Sequence, residues 1–272
     1  MHAISPKSKL LAPFVETLWS VERHGLIGSE ILLPNGKMQL LFDLTGIGFR
    51  DFDLDGSQRH RIASGLALQG PRTRPIIIDA PSQRMACGVS FFPGGAAPFF
   101  SVSACELIDR LVDLRDIWGR GAQSLLERLE EASTTEARLK ILESVLLERL
   151  RPSGDDQRRA SIVISGLQEQ RSISSIEKEL GMHARGFIAW FRHHIGPRPK
   201  QYARLARFQE LLMLDEPGNW CARAAAAGFA DQAHMNREFK HFAGITPTEY
   251  RPVARMAFNH VEASGVRNIQ DG

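Results

Sequence analysis

Gly228-Phe229-Ala230-Asp231-Gln232-Ala233-His234, then Arg237-Glu238-Phe239-Lys240, then Gly244-Ile245-Thr246-Pro247-Thr248-Glu249-Tyr250-Arg251, is the stretch that decides how this chain is read. Before it, Trp220 to Ala227 forms an alanine-rich helical pattern, and Gly228 supplies the permissive backbone of a tight turn. Asp231 is a good N-cap, so a second helix is expected from Gln232 to Phe242. Helix, glycine turn and helix make the helix-turn-helix shape.

The same grammar occurs about fifty residues upstream. Ser172 to Gly181 reads as a short capped helix with Ile176 and Leu180 inward, and Gly181 opens the turn. Ala184 to Ile195 follows as a helix with Phe187, Trp190 and Phe191 on its buried stripe, stopped by Gly196-Pro197. Between the two units, Pro199 to Leu214 places Tyr202, Leu205, Phe208, Leu211 and Leu212 at helical spacing. A helix of about 16 residues spans about 24 Å. One turn of B-DNA advances about 34 Å, so two heads on such a spacer suit successive major-groove segments on one face of the duplex.

These stretches together resemble the signature of AraC/XylS-type transcription regulators, over Ser172 to Arg251 and more closely in the second unit than in the first. The resemblance implies that the second helix of each unit enters the major groove, where side chains meet bases and basic residues hold phosphates. Carried over residue by residue, the first reading helix offers Arg185, Ile188, Ala189 and Arg192, and the second offers Gln232, Ala233, Asn236, Arg237 and Lys240. Gln232 and Asn236 suit adenine, and Arg185 and Arg237 suit guanine. Ile188 and Ala189 depart from the polar residues often found there, which implies thymine-methyl contact or little sequence information from the first unit. Arg223 also departs, at a position commonly apolar in the family; it either snorkels to the surface or contacts the backbone.

For any one of these helices the alternative is a solvated face, and a degenerate module for protein contacts remains a competing reading. The presence of two units favours DNA. Trp190, Phe191, Phe229, Phe239 and Phe242 are expected in the core. His193-His194 are adjacent on a helix, about 100° apart, with no Cys or carboxylate to complete a set, so no metal site is assigned.

Upstream, Glu30 to Phe92 consists of short apolar runs broken by turn residues: Ile31-Leu32-Leu33, Pro34-Asn35-Gly36, Met38 to Leu44, Ile76-Ile77-Ile78, Met85 to Phe92 and Pro93-Gly94-Gly95. A small sheet or barrel is expected. From Leu107 the spacing turns helical through Leu114, Leu125, Leu126 and Leu129, and Thr134 to Leu150 is an amphipathic helix fit for packing on the sheet or for dimerisation, the latter slightly favoured. Arg151-Pro152-Ser153-Gly154-Asp155-Asp156 reads as an interdomain linker. The expected class is α+β: residues 1–152 a sensor or dimerisation domain, 157–256 an all-α domain with two helix-turn-helix units, and 257–272 a frayed tail.

Leu33 to Gly36, Gln69 to Pro75, Gly88 to Gly95 and Asp113 to Gly119 resemble the sensor-like domain of one branch of AraC-like regulators. That resemblance implies a cupin-like fold with a role in effector sensing, dimerisation or both. Arg72 and Arg74 beside Gly70-Pro71 offer either an anion site or a plain turn with solvated arginines, the latter favoured.

Composition sets the outer limits. The 272 residues are 43% hydrophobic and 24% charged, with net charge +3. No apolar run nears the roughly 18 residues of a membrane span, and no secretory signal is evident, so a cytoplasmic location is expected. Residues 156–272 hold 16 Lys and Arg against 12 Asp and Glu, as well as six of the nine histidines, a bias that suits a polyanion. Cys87, Cys105 and Cys221 lie in no disulfide or zinc spacing. The reading is therefore a non-enzymatic regulator without cofactor, with double-stranded promoter DNA, a small-molecule effector, a second copy of itself and RNA polymerase as partners. Its alternative is a DNA-binding protein fused to an alkylation- or redox-responsive cysteine domain.

Overall fold

A computed structural model describes residues 2–22, 28–79, 84–151, 154–169, 171–214, 220–253 and 259–263. Its first half contains β1 (His2–Ile4), β2 (Val15–Glu22), β3 (Ser29–Leu32), β4 (Gln39–Asp43), β5 (Phe49–Phe52), β6 (Gln58–Ile62), β7 (Leu66–Gln69), β8 (Ile76–Asp79), β9 (Met85–Phe91) and β10 (Leu111–Asp113). Three helices close it: α1 (Arg115–Trp118), α2 (Arg120–Glu131) and α3 (Thr135–Arg149). The second half is α4 (Gly154–Gln168), α5 (Ile173–Glu179), α6 (Ala184–His194), α7 (Pro199–Met213), α8 (Trp220–Ala226) and α9 (Gln232–Ala243), followed by β11 (His260–Glu262). The expected α+β class, β-rich first and helical second, is what the structure has.

Two antiparallel sheets make up the β region, one ordered β1-β2-β9-β4-β7-β10 and the other β11-β3-β8-β5-β6. Strand β4 shows why. Leu40 and Phe42 alternate into the core while Gln39 and Leu41 stay part-exposed, the period-2 pattern of a strand with one buried face. Its neighbour β9 approaches closely at Gly88, where a Cβ would lie 2.2 Å from the Leu40 carbonyl oxygen, so only glycine fits. The isoleucine run in β8 is buried on both faces: Ile77 packs with the helices of the second half, while Ile76 and Ile78 pack with Leu32.

The first sheet is roofed by α2 and α3, whose Leu125, Leu126, Leu129, Leu139, Leu142, Val145 and Leu146 join Leu18, Leu40, Phe42, Val89 and Phe91 in one core. The amphipathic stripe of α3 is therefore spent on the sheet. Thr134 caps that helix, accepting from the Ala137 amide at 3.2 Å.

Four expectations are corrected. Residues 107–114 are not helical: Leu111–Asp113 is extended and pairs with Ala67–Gln69, because burial of Leu111 against the sheet outweighs local periodicity. The linker is shorter than expected, since α4 begins at Gly154; Pro152 and Ser153 lie outside the described residues. Arg72 is buried rather than on a solvated turn. Its burial lowers its pKa to about 10, with Asp51 and Asp109 opposing that shift, whereas Arg74 is exposed. Lastly, His260–Glu262 is no frayed tail but an edge strand on β3; residues 264–272 and the turn residues Ala80 and Pro81 lie outside the described set.

Candidate nucleic-acid interface

In the first unit, Ser172 Oγ accepts from the Ser175 amide at 3.1 Å and starts α5, whose Ile176 is fully buried. Gly181 at φ +63° makes the turn. In α6, Phe187, Trp190 and Phe191 face inward with α4, α5 and the start of α7. Arg185, Ile188, Ala189 and Arg192 are all exposed, and their spacing of three and four residues sets them on one outward stripe.

The second unit repeats the arrangement. Gly228 turns at φ +74°, and Asp231 Oδ1 accepts from the His234 amide at 2.6 Å to cap α9. Met235, Phe239, Phe242 and Ala243 are buried, leaving Gln232, Ala233, Asn236, Arg237 and Lys240 exposed on the opposite face. Gln232 Oε1 also receives a contact from Cys221 Sγ at 3.4 Å, which links the outward stripe to α8. The closing motif is structural. Gly244 at φ +72° ends α9 in the left-handed region. Thr246 then donates from both its amide and its hydroxyl to Glu249 Oε2, at 2.7 and 2.8 Å. These bonds hold the Glu249 carboxyl below its ordinary range. Tyr250 packs edge-on to Trp220 and Phe239.

Spacer α7 has 15 residues, about 22 Å of helix. Two arginines tie it to the second unit. Arg204 makes a two-pronged pair with Glu238 on α9, at 2.8 and 2.9 Å. Burial opposes ionisation of Glu238, yet the hydrogen bonds and charge of Arg204 prevail and leave its carboxyl below the usual glutamate range. Arg223 does not snorkel: it is 7% exposed, donates to the carbonyls of Leu211 and Leu212 at the end of α7, and stacks over Trp220. A helix end leaves carbonyls without intrahelical partners, and a guanidinium is suited to satisfying two of them.

Helix α4 was not legible as a brace. Asp156, expected in a linker, accepts from Trp190 Nε1 at 2.8 Å and sits 3.5 Å from His194 Nε2, so it fixes the inward side of α6. The signal was present in Ala160, Val163 and Leu167, which recur at helical spacing and are buried. His193 and His194 stand beside Asp156 in a cleft with Gly94, Pro98 and Arg151. Among the described residues no cluster of three or more metal-ligating side chains occurs.

Helices α6 and α9 both end against the N-terminal domain. Ser103 Oγ lies 3.4 Å from the His193 carbonyl oxygen, and Gly196 abuts Pro71 and Ala104. Gly244, after α9, abuts Leu54 and Pro75. The residues of the outward stripes are exposed.

Residues 176–252 match the family described as "Helix-turn-helix domain", and residues 2–113 match a "Domain of unknown function (DUF6597)". No curated protein matches the chain. Among solved structures, ToxT from Vibrio cholerae bound to (E)-4-(8-methylnaphthalen-1-yl)but-3-enoic acid is 12% identical over 85% of this chain and 96% of its own, with TM-score 0.47. The P21 form of ToxT gives 12%, 85%, 95% and 0.46, and ToxT from strain O395 gives 11%, 85%, 94% and 0.44. The chain thus pairs an AraC-type helix-turn-helix domain at residues 176–252 with a DUF6597 domain at residues 2–113.

Proposed function

We propose that the protein binds specific double-stranded promoter DNA through α6 and α9, and that the N-terminal domain adjusts this binding in response to a small-molecule effector, to pairing with a second copy, or to both. The observation that carries the reading is the pair of helices α6 and α9, each with an aromatic inner face and an exposed outer stripe at helical spacing. On α9, Gln232 and Asn236 offer the two-pronged amide that adenine accepts, Arg237 the fork for guanine, Ala233 a methyl-sized contact and Lys240 a charge for phosphate. On α6, Arg185 and Arg192 supply guanine or phosphate contacts, while Ile188 and Ala189 meet thymine methyls. Base specificity thus resides chiefly in α9. The protein acts in the cytoplasm, without covalent chemistry, at promoters served by RNA polymerase.

The cysteine-responsive alternative finds less support. Cys87 is buried, and desolvation pushes its thiol up to about 12, far from the thiolate that alkylation or oxidation requires.

Fluorescence anisotropy on the DNA upstream of the gene tests the proposal. Specific binding that weakens steeply with salt is expected, because phosphate contacts release counterions. Binding insensitive to both salt and sequence contradicts it.

A further inference from the structure

Strand β11 belongs by sequence to the segment that follows the second reading unit, yet it completes the sheet of the sensor. His260, Val261 and Glu262 pair antiparallel with Leu32, Ile31 and Glu30. The Leu33 amide donates to the Asn259 carbonyl at 2.8 Å, extending the ladder by one bond. His260 Nδ1 lies 2.7 Å from Glu30 Oε2, and Val261 is fully buried. On its other side the same strand holds the end of the helical domain: Val253 donates to the His260 carbonyl at 2.8 Å, and Glu262 to that of Arg251 at 3.0 Å.

A third element joins them. Gln209 of α7 donates from one Nε2 to the Pro34 carbonyl of the sensor at 2.7 Å and to Asn259 Oδ1 at 2.9 Å. Behind this bridge, Ile31, Leu33, Phe52 and Ile77 of the sensor share a single apolar core with Phe208, Leu211, Phe239, Phe242, Tyr250 and Val261. The second reading unit and the second sensor sheet are thus one packed body, with β11 the end strand of the sheet, between β3 and residues 251–253. An edge strand of three residues can leave its sheet without unfolding the strands behind it.

We propose that β11 is an interdomain latch: seated on β3, it locks the second reading unit to the sensor sheet, and its release uncouples α9 from the sensor's state. A ligand or partner that reshapes β3 then changes the seating of β11 and through it the hold on α7 and α9. By linkage, DNA on α9 stabilises the seated strand to the same degree. The latch itself stands on contacts within the chain, while its effect on DNA rests on the regulator reading.

Hydrogen exchange on the full chain separates the two. Val261→Glu places a charge in the seat of the latch, and a chain ended after Val253 removes the strand outright. Both should speed exchange at the Leu33 amide by at least about tenfold, while β2 and β9 of the other sheet keep their protection. Unchanged exchange at Leu33 overturns the latch. Loss of protection in β2 and β9 as well also overturns it, since β11 is then part of the fold of the sensor. Adding a mixed-sequence duplex at low salt should slow exchange at Leu33 in the intact chain but not in Val261→Glu, although α9 is protected in both. Equal slowing in the two proteins contradicts the coupling. Failure of the duplex to protect α9 in either protein contradicts the DNA-binding reading and leaves the Leu33 comparison to decide the latch.

Discussion

The two helix-turn-helix units share a geometry and differ in what surrounds and decorates it. Unit one is braced chiefly by Asp156 of α4, which holds Trp190, and meets the N-terminal domain where α6 ends, at Ser103, Pro71 and Ala104. Unit two shares an apolar core with the second sheet of the N-terminal domain and with β11, and is sealed by Arg223 and the Thr246–Glu249 closure. Their outer stripes differ in the same sense: Ile188 and Ala189 stand centrally on α6, Asn236 and Arg237 on α9. Hydrophobic patterning and caps make a helix-turn-helix unit, but the chemistry of four or five exposed positions decides whether it reads bases or only grips the duplex.

The largest expected effect falls on the shared core of unit two. Phe239→Ala should cost about 3 to 5 kcal/mol in chemical denaturation, the range for truncating a buried aromatic. Because Phe239 touches both Trp220 and Tyr250, it should also melt α8. Retention of α8 would show that unit two is held mainly by the second sheet of the N-terminal domain. Arg223→Met keeps much of the volume but strips the partners from the Leu211 and Leu212 carbonyls, and about 2 kcal/mol of stability should be lost. No loss would mean that water replaces the guanidinium.

Much of this was legible from residues alone. The caps Ser172 and Asp231, the turns at Gly181 and Gly228, and the inward aromatics follow from local chemistry, and the structure places each of them as expected. The strands around Leu40 and Ile77 were legible for the same reason, since alternation and β-branched runs report burial directly. What local pattern concealed was tertiary. Leu111 sits in a helical-looking series, yet it is extended because β7 offers it a partner. Arg223 looked out of place until the end of α7 came into contact with it. Nothing within His260-Val261-Glu262 announces a strand whose partner lies about 230 residues away, and three residues are too few to show a period. The positions of the outer stripes are exposed, and their contacts with bases are a proposal.

Smaller effects sharpen the comparison of the units. Asp231→Ala and Ser172→Ala each remove a cap and should cost about 1 kcal/mol, with the former larger because its bond is shorter, 2.6 against 3.1 Å. An inverse order in thermal unfolding would show that packing on the N-terminal domain already fixes the start of α9. The pair Arg204–Glu238 should give unit two an acid-sensitive contact. Since the Glu238 pKa is depressed in the folded state, its contribution is present above the ordinary glutamate value of 4.5 and is lost as pH falls through the folded value. Glu238→Gln should flatten that part of the stability profile; an unaltered profile would place the acid sensitivity elsewhere.

The central claim, that α9 reads sequence and α6 contributes less to it, is tested most directly by measuring the affinity of the intact chain, Arg237→Ala and Ile188→Ala for a bound site and for each of its single-base variants at one salt concentration. Arg237→Ala should lose about 1 to 3 kcal/mol of discrimination at one or two base pairs and retain it elsewhere, whereas Ile188→Ala should change discrimination far less. A uniform loss across all variants in Arg237→Ala, or a larger loss of discrimination in Ile188→Ala, would contradict it.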